Sequence, residues 1–492
     1  MHGALMVCGT ASDAGKSHVV TGLCRSLHRR GVRVAPFKGQ NMSLNSFVTT
    51  SGHEIGRAQA TQAFAAGVEP EVVMNPVLLK PTSETGCQVV VMGRPTADLD
   101  AFGYHAHKPE LFPVVLAALA DLRGRFDVVL LEGAGSPAEI NLLDHDIVNL
   151  PLAVAAGVRA IVVGDIDRGG VFASLAGTVA LLPPEQRAAI GGFVINKLRG
   201  DPALLLDGAE RLERHTGVPT LGVLPWIDDV ALDAEDSLAL AGPRPRSTVT
   251  AATMLDVAVV RFPHLANATD LDPVAIEAGV GVRWVTHAAG LGDPDVVVLP
   301  GTKSTVADLA WLRAVGLDRA LAGSTATVLG ICGGYQMLGH RIHDLAGVEA
   351  PAGTVVDGLG WLDVATTFHP EKVTAQRTGF ADGRTVHGYE IHHGRTTLGP
   401  HARPWLHLDS GPEGAHTCAE RPVLGTSLHG ILEDDLFRQA LLAAAAGRRG
   451  RSWSSSGVSF AAARDAQIDR LADLVEEHLD LTAIDRLIQE RP

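Results

Sequence analysis

The feature that most constrains the fold is an alternation of short β-branched runs with helical patterns along most of the chain. This alternation is typical of parallel sheets whose strands are joined by crossover helices. The runs in the first half predict the strands of one open sheet, at residues 5–7, 32–37, 128–131, 160–163, 192–195 and 221–224. A second series begins at Asp256 and predicts strands at 257–260, 296–299 and 328–331. We therefore expect an α/β protein with two open, mostly parallel sheets.

The stretch between the two series predicts the domain organisation. Residues 241–247 contain two prolines and no apolar periodicity, which is typical of a linker. We expect a first domain over 1–240, a linker over 241–252, a second domain over 253–440 and a helical tail over 441–492 that begins with a mobile connection at 441–457. The tail carries apolar residues at helical spacing and acids on its polar face, which indicates a helix docked on the protein and not a membrane anchor.

Composition limits the class of protein and its partners. With 492 residues, 46% of them hydrophobic and 20% charged, the chain can bury more than one core. Its net charge of -14 gives no general attraction to nucleic acid or to an anionic membrane. The five cysteines form no C-x-x-C pair, and neither a signal peptide nor a bilayer-spanning run is evident. We expect a cytoplasmic protein without nucleic-acid or membrane partners, and its oligomeric state stays open.

A glycine-rich loop follows the first predicted strand and precedes a helical pattern. Residues 9–17 read Gly-Thr-Ala-Ser-Asp-Ala-Gly-Lys-Ser, which supplies backbone N–H donors, a lysine for the terminal phosphate and a hydroxyl for Mg²⁺. The leading glycine lies one residue earlier than the standard P-loop requires, and Thr10 stands in its place. A structural turn is the alternative, but the flanking strand and helix favour a nucleotide site formed by Gly9, Thr10, Asp13, Gly15, Lys16 and Ser17.

Residues at other strand ends would complete this site. Glu132 ends an unbroken apolar run beside glycines, and the carboxyl end of a buried parallel strand is where a nucleotide's metal ion is held. We expect Ser17 and Glu132 to be the metal ligands. Lys38 follows the second strand and would add positive charge against the phosphates, while Asn196 and Lys197 either contact the nucleotide base or cap their strand.

The second half contains a cysteine between glycines, in Gly330-Ile331-Cys332-Gly333-Gly334-Tyr335-Gln336. A G-x-C-x-G segment between a strand and a helix places the thiol on a tight turn beside backbone N–H groups. The helix N-terminus favours the thiolate, and Gly333 lets a carbonyl approach donors that stabilise an oxyanion. A buried structural cysteine is the alternative. Together with the phosphate loop, this elbow indicates glutamine hydrolysis that feeds ammonia to an ATP-activated acid.

These motifs, with several longer ones, resemble those of known families. The loop 9–17 is similar to the variant P-loop of dethiobiotin synthetase and its relatives. The cobyric acid synthase family is indicated by the segments 38–46 (KGQNMSLNS), 132–142 (EGAGSPAEINL), 165–172 (DIDRGGVF), 299–305 (LPGTKST), 388–392 (GYEIH) and 425–430 (GTSLHG). The resemblance extends from residue 9 to residue 430, and it implies a P-loop NTPase-like domain followed by a flavodoxin-like class I glutamine amidotransferase domain.

The resemblance implies an ATP-dependent amidation that takes its ammonia from glutamine. The family's substrate is adenosylcobyrinic acid a,c-diamide, whose b, d, e and g carboxylates become amides to give adenosylcobyric acid in cobalamin synthesis. ATP and Mg²⁺ are therefore the expected cofactors. A corrinoid, ATP and glutamine are the expected small-molecule partners.

The resemblance also assigns the glutaminase residues, which are the nucleophile Cys332, the general base and acid His429, and the oxyanion-stabilising N–H groups of Gly301 and Gly333. His392 and His393 compete with His429 for its role. Many amidotransferases follow the catalytic histidine with Pro-Glu, but here Gly430 and Ile431 follow it. We therefore expect a Cys-His dyad without an orienting acid. We also expect glutamine hydrolysis to be slow by itself and to depend on ligands of the other domain.

Polar residues that follow strands are candidates for corrinoid contacts. They are Asn41, Ser43 and Asn45 after the second strand, and Asp165 and Arg168 after a later one. A solvated turn and a surface ion pair are the respective alternatives.

Three other functions stay open. The sister enzyme cobyrinic acid a,c-diamide synthase shares both chemistries, although the Gln-Asn-Met-Ser-Leu-Asn run at 40–45 argues against it. A partition ATPase acting as a binding module would leave the Cys332 segment unexplained. A glutamine-dependent ligase could instead act on another acid, such as a cell-wall precursor.

Overall fold

The structure is a computed structural model that describes residues 1–82, 86–227, 230, 254–417 and 421–491. The chain divides into two compact units. Unit 1 comprises residues 1–43, 55–235 and 464–492, and unit 2 comprises residues 44–54 and 236–463. The linker expected at 241–252 lies outside the described residues.

The strands are β1 (Gly3–Gly9), β2 (Val34–Phe37), β3 (Gln40–Met42), β4 (Ser46–Val48), β5 (Glu54–Gly56), β6 (Val77–Pro81), β7 (Gly86–Val91), β8 (Arg94–Asp100), β9 (Val128–Glu132), β10 (Arg159–Asp165), β11 (Ile190–Leu198), β12 (Thr220–Pro225), β13 (Leu255–Val260), β14 (Val280–Val285), β15 (Val296–Leu299), β16 (Thr327–Ile331), β17 (Arg341–Asp344), β18 (Thr354–Asp357), β19 (Val364–Ala381), β20 (Arg384–Leu398), β21 (Leu406–Leu408), β22 (Gly411–Glu413), β23 (Ala415–His416) and β24 (Val423–Thr426). The α-helices are α1 (Lys16–Arg29), α2 (Arg57–Ala65), α3 (Ala101–Arg125), α4 (Leu150–Ala156), α5 (Val171–Leu181), α6 (Pro184–Ala189), α7 (Leu206–Thr216), α8 (Asp272–Ala275), α9 (Thr305–Ala314), α10 (Leu317–Ala322), α11 (Gly333–Leu338), α12 (Asp435–Arg448), α13 (Phe460–His478) and α14 (Leu481–Gln489).

The main sheet of unit 1 has the strand order β12-β11-β10-β1-β9-β2, and every neighbouring pair is parallel. It contains all the strands predicted in the first half, so this part of the fold prediction is confirmed. The prediction succeeds because these strands are buried on both faces, as the fully buried Leu5 and Leu130 show, and such strands read as continuous apolar runs. The parallel order places Gly9 and Glu132 at the same edge of the sheet.

A second sheet of unit 1 is not predicted by the sequence pattern. It has the order β3-β6-β7-β8, with β3 and β6 parallel and the other pairs antiparallel. Strand β8 is polar and mostly exposed, so no apolar run marks it in the sequence.

The helical tail packs against helix α1 of unit 1. Ile468 and Leu471 of α13 share one apolar core with Val19 and Leu23 of α1. Gly22 permits this approach, because a Cβ at that position would lie 2.5 Å from the carbonyl oxygen of Leu471. Ion pairs border the contact and join Arg25 to Asp465, Arg29 to Asp469 and Asp473, and Arg30 to Asp485. The tail is therefore a docked helical element, as its acidic polar face predicts.

The main sheet of unit 2 has the order β14-β13-β15-β16-β24-β23, and only the β23–β24 pair is antiparallel. Strands β13, β15 and β16 were predicted from the sequence and are confirmed. Strands β14 and β24 were not, because Gly281, Arg283 and Gly425 interrupt their apolar runs. A further, largely antiparallel sheet has the order β18-β17-β19-β21-β22, and its long strand β19 also pairs with β20.

A short piece from the first half of the sequence belongs to unit 2. This Leu44–Glu54 segment contains β4, which pairs with β5. Strand β19 holds the segment, since the Thr374 hydroxyl donates to the Gly52 carbonyl at 2.7 Å and the Gln376 amide donates to the carbonyl of Val48.

Residues 441–457 do not form the expected mobile connection. Helix α12 continues through this stretch to Arg448 and buries Leu442 and Ala445. Trp453 is 5% exposed, and its Nε1 donates to the Ala278 carbonyl at 2.8 Å. Small alanines suit this helix to close packing. Within the described residues, no helix is long and apolar enough to cross a membrane.

Candidate active site

The glycine-rich loop of unit 1 joins the end of β1 to the start of α1. Gly15 has a φ of 100°, and a Cβ there would lie 2.0 Å from Nδ2 of Asn196, so only glycine fits this turn. The Lys16 ammonium donates to the carbonyls of Ala11 at 3.0 Å and Gly135 at 3.1 Å. The lysine therefore lies folded over the loop, where a phosphate group would replace these two carbonyls as its partner.

The surroundings of Lys16 lower the pKa of its ammonium. Burial is the largest cause, and the positive charge of Lys38 adds to it, so the pKa falls to about 8. The positive charge of such a lysine is poorly stabilised, because burial disfavours the charged form unless an anion binds beside it. The site is thus electrostatically suited to a polyphosphate.

Glu132 is the centre of a buried polar cluster at the end of β9. Its Oε1 accepts from the Ser17 hydroxyl at 2.9 Å and from the Lys38 ammonium at 3.0 Å, and Gln62 donates to its other oxygen. Burial alone would raise the pKa of Glu132, but the charge of Lys38 and the hydrogen bonds from Gln62 and Lys38 hold it below its ordinary value. The side chain is therefore an anion whose Oε1 contacts Ser17 at the end of the phosphate loop.

This cluster suits a magnesium ion. The hydroxyl of Ser17 and the carboxylate of Glu132 are hard oxygen donors that already lie 2.9 Å apart. Mg²⁺ is usually held by one or two such protein groups together with phosphate oxygens and water. No group of three or more His, Cys, Asp or Glu side chains able to hold a metal occurs in the described part of the chain, so phosphate oxygens would have to complete the coordination.

The other residues predicted for the nucleotide lie beside the loop. Asn196 is buried and donates from Nδ2 to the Ala14 carbonyl at 2.9 Å. Lys197 donates to the Asp13 carbonyl and pairs with Asp165 at 2.8 Å. Their present contacts support the shape of the loop, and contact with a base stays a prediction.

The predicted corrinoid residues have different surroundings. Arg168 is 69% exposed and lies 3.7 Å from Asp165, which fits either a ligand contact or a surface ion pair. Asn41 is buried in unit 1 and donates to the Gln59 amide oxygen at 2.9 Å, and Ser43 is buried in the same unit. Asn45 belongs to unit 2. It is fully buried there, so its observed contacts are with protein groups.

The cysteine elbow of unit 2 has a strained backbone. Cys332 joins β16 to α11 with φ 51° and ψ -110°, a conformation that costs free energy in a non-glycine residue. Its N–H donates to the Thr426 carbonyl at 2.7 Å. Gly334 allows the tight turn, because a Cβ there would lie 1.9 Å from the Leu299 carbonyl oxygen. The thiol is 6% exposed, so the elbow presents it in a nearly closed site.

His429 lies beside this thiol and is oriented by an acid. The Cys332 side chain is close enough to the imidazole to contribute to the rise of its pKa. On its other side, Nδ1 donates to Oδ2 of Asp270 at 2.7 Å. Burial alone would lower the pKa of His429, but attraction to Asp270 and Cys332 outweighs it and raises the pKa to about 10. The structure thus brings together a thiol, an imidazole and a carboxylate, and the expected dyad without an orienting acid is replaced by this arrangement.

The competing histidines have other partners. The Nδ1 of His392 donates to the Gly394 carbonyl at 2.7 Å, and that of His393 donates to the His369 carbonyl at 3.0 Å. Burial lowers the pKa of His393 to about 4, with the charges of two lysines adding to the effect. The geometry therefore favours His429 as the base.

The two glycines predicted for the oxyanion site flank the thiol and the imidazole. A Cβ at Gly301 would lie 2.8 Å from Cε1 of His429, and Gly333 is the first residue of α11, directly after Cys332. A side chain at Gly301 would press on the imidazole, whereas one at Gly333 would meet Thr302, with its Cβ 2.6 Å from Cγ2 of that residue. Their role as donors to an oxyanion stays a prediction.

Sequence reasoning missed three residues of these sites. Asp270 and Tyr389 lie against His429, and Gln62 binds Glu132. One signal was available for Asp270, since it belongs to a polar stretch between β13 and α8, beyond the carboxyl end of a parallel strand, where open α/β sheets collect functional groups. Nothing local marks Gln62, which lies within helix α2.

Two family models match the chain. One is described as the CobQ/CobB/MinD/ParA nucleotide binding domain and matches residues 5–239. The other is described as the CobB/CobQ-like glutamine amidotransferase domain and matches residues 256–437. The first contains the phosphate loop and the second contains the thiol, the imidazole and the acid.

Curated relatives match over nearly the whole chain. A protein named cobyric acid synthase from Frankia casuarinae is 52% identical, and the alignment covers 100% of this chain and 97% of the relative. Proteins of the same name from Nocardia farcinica and Rhodococcus jostii are each 53% identical. The alignment with the Nocardia protein covers 100% of this chain and 97% of the relative. The alignment with the Rhodococcus protein covers 99% of this chain and 95% of the relative.

Proposed function

Because the chain belongs to the cobyric acid synthase family, we propose that it amidates the b, d, e and g carboxylates of adenosylcobyrinic acid a,c-diamide to give adenosylcobyric acid. The chain is a glutamine-dependent ligase of cobalamin biosynthesis with a nucleotide-binding domain, which supports the use of ATP. The choice of these four carboxylates, the metal ion and the roles of individual residues belong to the proposal.

Glutamine hydrolysis would take place at Cys332. The thiolate attacks the side-chain amide carbon of glutamine, and an S–C bond forms as the carbonyl electrons move to oxygen. His429 then donates its proton to the nitrogen and the C–N bond breaks. Ammonia is released, and the glutamyl group stays bound to Cys332 as a thioester. Water attacks the thioester, His429 accepts a proton from it, and glutamate departs as the thiolate reforms. Asp270 holds Nδ1 of the imidazole throughout, so that Nε2 faces the sulfur.

Carboxylate activation would take place at the phosphate loop. A carboxylate is a poor electrophile, because its charge repels nucleophiles and oxide is a poor leaving group. Transfer of the γ-phosphoryl group of ATP to a carboxylate oxygen gives an acyl phosphate, which ammonia attacks with release of phosphate. Lys16 would bind the phosphate oxygens and stabilise the charge that moves during transfer. Ser17 and Glu132 would hold Mg²⁺, which when bound screens the phosphate charge.

The presence of both sites in one chain is the observation that carries this proposal. Its test separates the two chemistries in the full-length protein. We expect Cys332→Ser to abolish amidation driven by glutamine and to retain amidation driven by added ammonium, whereas Lys16→Ala abolishes both. Loss of the ammonium-driven reaction in the folded Cys332 variant would contradict this division of labour.

The sister enzyme, cobyrinic acid a,c-diamide synthase, is the main alternative, because the same two chemistries serve different carboxylates. A corrinoid panel distinguishes them. Amidation of the a,c-diamide, with cobyrinic acid left unchanged, is the result we expect. Conversion of cobyrinic acid to its diamide and no further would favour the sister activity.

A further inference from the structure

The loop before Asp270 is held by the Leu44–Glu54 segment through two hydrogen bonds that run in opposite directions. The Asn45 side-chain oxygen accepts from the N–H of Ala268 at 3.1 Å. The Asn267 side-chain oxygen in turn accepts from the N–H of Ser46 at 2.8 Å. Asn45 and Asn267 are 0% and 2% exposed, so neither bond can be replaced by water without rearrangement.

This loop sets the position of the acid. Asn267 has a φ of 51°, and its carbonyl accepts from the N–H of Asp270 at 3.0 Å. Both oxygens of the Asp270 carboxylate then bind the catalytic segment, Oδ2 at 2.7 Å from Nδ1 of His429 and Oδ1 at 2.9 Å from the N–H of Gly430. A shift of Asn267 would therefore move the group that orients the imidazole.

The same segment reaches His429 by a second route, through Tyr389. The Tyr389 hydroxyl donates to the Ser46 carbonyl at 2.9 Å. Its ring stacks on the imidazole with centroids 5.5 Å apart and planes 23° apart. The backbone N–H and C=O groups of Tyr389 and His429 also pair, each at 2.9 Å. The imidazole is thus held on one side by an acid and on another by an aromatic ring, and both depend on the segment.

The segment is itself firmly anchored in unit 2. The Ser46 hydroxyl donates to Oε1 of Glu54 at 2.8 Å, and Lys372 of β19 pairs with Oε2 of Glu54 at 2.5 Å. Glu54 is fully buried and the Lys372 side chain is 5% exposed. A buried, paired charge of this kind tolerates little displacement, so it fixes the place from which Asn45 and Ser46 act.

We propose that Asn45 and Asn267 are positioning residues for glutamine hydrolysis, acting through Asp270 on the imidazole of His429. The proposal rests on the proposed function of Cys332 and His429, and it gives Asn45 a role in that reaction instead of the corrinoid contact suggested by the sequence. His429 has to deliver a proton to the departing nitrogen and to take one from water, and both transfers demand a fixed ring orientation.

The test measures amidation by the full-length protein with glutamine and, separately, with ammonium. We expect Asn45→Ala and Asn267→Gly each to lower kcat with glutamine by about 10- to 100-fold, with little change in KM, because misplacing a catalytic group costs rate more than binding. Glycine keeps the left-handed backbone at 267 and removes only the side-chain acceptor. The ammonium-driven rate stays at the wild-type value. Ser51→Ala, an exposed change in the same segment, is the matched control and leaves both rates unchanged.

A double-variant cycle tells a positioning role from a general loss of structure. If Asn45 acts through Asp270, Asn45→Ala lowers the rate far less in an Asp270→Asn background than in the wild type. Equal losses in the two backgrounds would overturn the proposal, as would wild-type glutamine kinetics in both single variants. A variant that also lost the ammonium-driven rate would be misfolded, and Asn267→Gly then supplies the result. Failure of the proposed function has a different signature, since Cys332→Ser would then retain glutamine-driven amidation.

Discussion

His429 donates from Nδ1 to the carboxylate of Asp270 at 2.7 Å, although 159 sequence positions separate the two residues. Both side chains are nearly fully buried, at 2% and 3% exposure. Asp270 therefore contacts the imidazole directly, although no acid follows His429 in the sequence as the glutamate of the Pro-Glu pair does in many amidotransferases. The acid comes from a different part of the chain, and it raises the pKa of the imidazole while accepting the hydrogen bond from Nδ1.

Removing the charge of Asp270 is expected to slow glutamine hydrolysis. Asp270→Asn should lower the glutaminase rate by about 10²- to 10⁴-fold, because the imidazole loses both its orientation and the attraction that raises its pKa. The measurement is glutamate release from glutamine in the presence of ATP and corrinoid. Asp272→Asn, two residues further on, is the control and should keep most of the activity. Full activity in the Asp270 variant would show that a dyad suffices.

Nucleotide binding is expected to become linked to proton uptake at alkaline pH. Burial, with the charge of Lys38, lowers the pKa of Lys16 to about 8, so the free protein loses this proton as the pH rises through that value. A bound triphosphate favours the charged form of Lys16. Binding of ATP should therefore be accompanied by the uptake of close to one proton by the protein at about pH 9, and of almost none at about pH 7. Calorimetry in two buffers of different ionisation enthalpy measures the uptake. The same uptake in Lys16→Met would assign it elsewhere.

Glu132 and Lys38 are expected to depend on each other for stability. Glu132→Gln removes the charge that compensates Lys38 at 3.0 Å, which should destabilise unit 1 by about 3 kcal/mol. Changing both residues, with Lys38→Met added, should recover most of that loss. Urea unfolding of the wild type, the single variant and the double variant measures these differences in the free energy of unfolding. The pKa of Glu132 is lowered in the fold, so its contribution is complete at neutral pH and is lost as the pH falls through the lowered value. A double variant no more stable than the single one would disprove the coupling.

Two glycine-to-alanine changes are expected to alter stability in opposite directions. Alanine normally stabilises a helix by about 0.5–1 kcal/mol over glycine, and Gly177→Ala in α5 should do so because a Cβ there meets nothing within 4 Å. Gly22→Ala in α1 should instead destabilise by about 1–3 kcal/mol, since its Cβ would lie 2.5 Å from the Leu471 carbonyl oxygen. Denaturant unfolding compares the two, and limited proteolysis of the tail should accelerate only for Gly22→Ala. Stabilisation by both changes would show that the tail can move aside.

The two central sheets could be predicted because burial on both faces leaves a continuous signal in the sequence. Residues 128–131 and 296–299 are unbroken apolar runs, and each became a strand of a parallel sheet. The long pair β19 and β20 left no such signal. Many of its residues are half-exposed and polar, among them Thr374 and Thr396, and their pairing depends on the opposite strand more than on local composition.

The candidate sites divide in the same way. The phosphate loop and the cysteine elbow could be recognised because local residues determine them, through the left-handed Gly15 and the strained Cys332. Asp270 could not be assigned to His429, since only the fold brings these two residues together. The role of Asn45 was equally hidden, because a buried asparagine and a ligand-binding one look alike in a sequence.

The place of residues 44–54 in unit 2 has a consequence for how relatives of this protein can be recombined. A chimaera joined at the linker would take its nucleophile, base and acid from one parent and the peptide that braces them from the other. The segment from one parent and the glutaminase residues from the other would then be mismatched within unit 2, even though the crossover lies in the linker between the two domains. Grafting those few upstream residues together with the downstream half should keep the set intact.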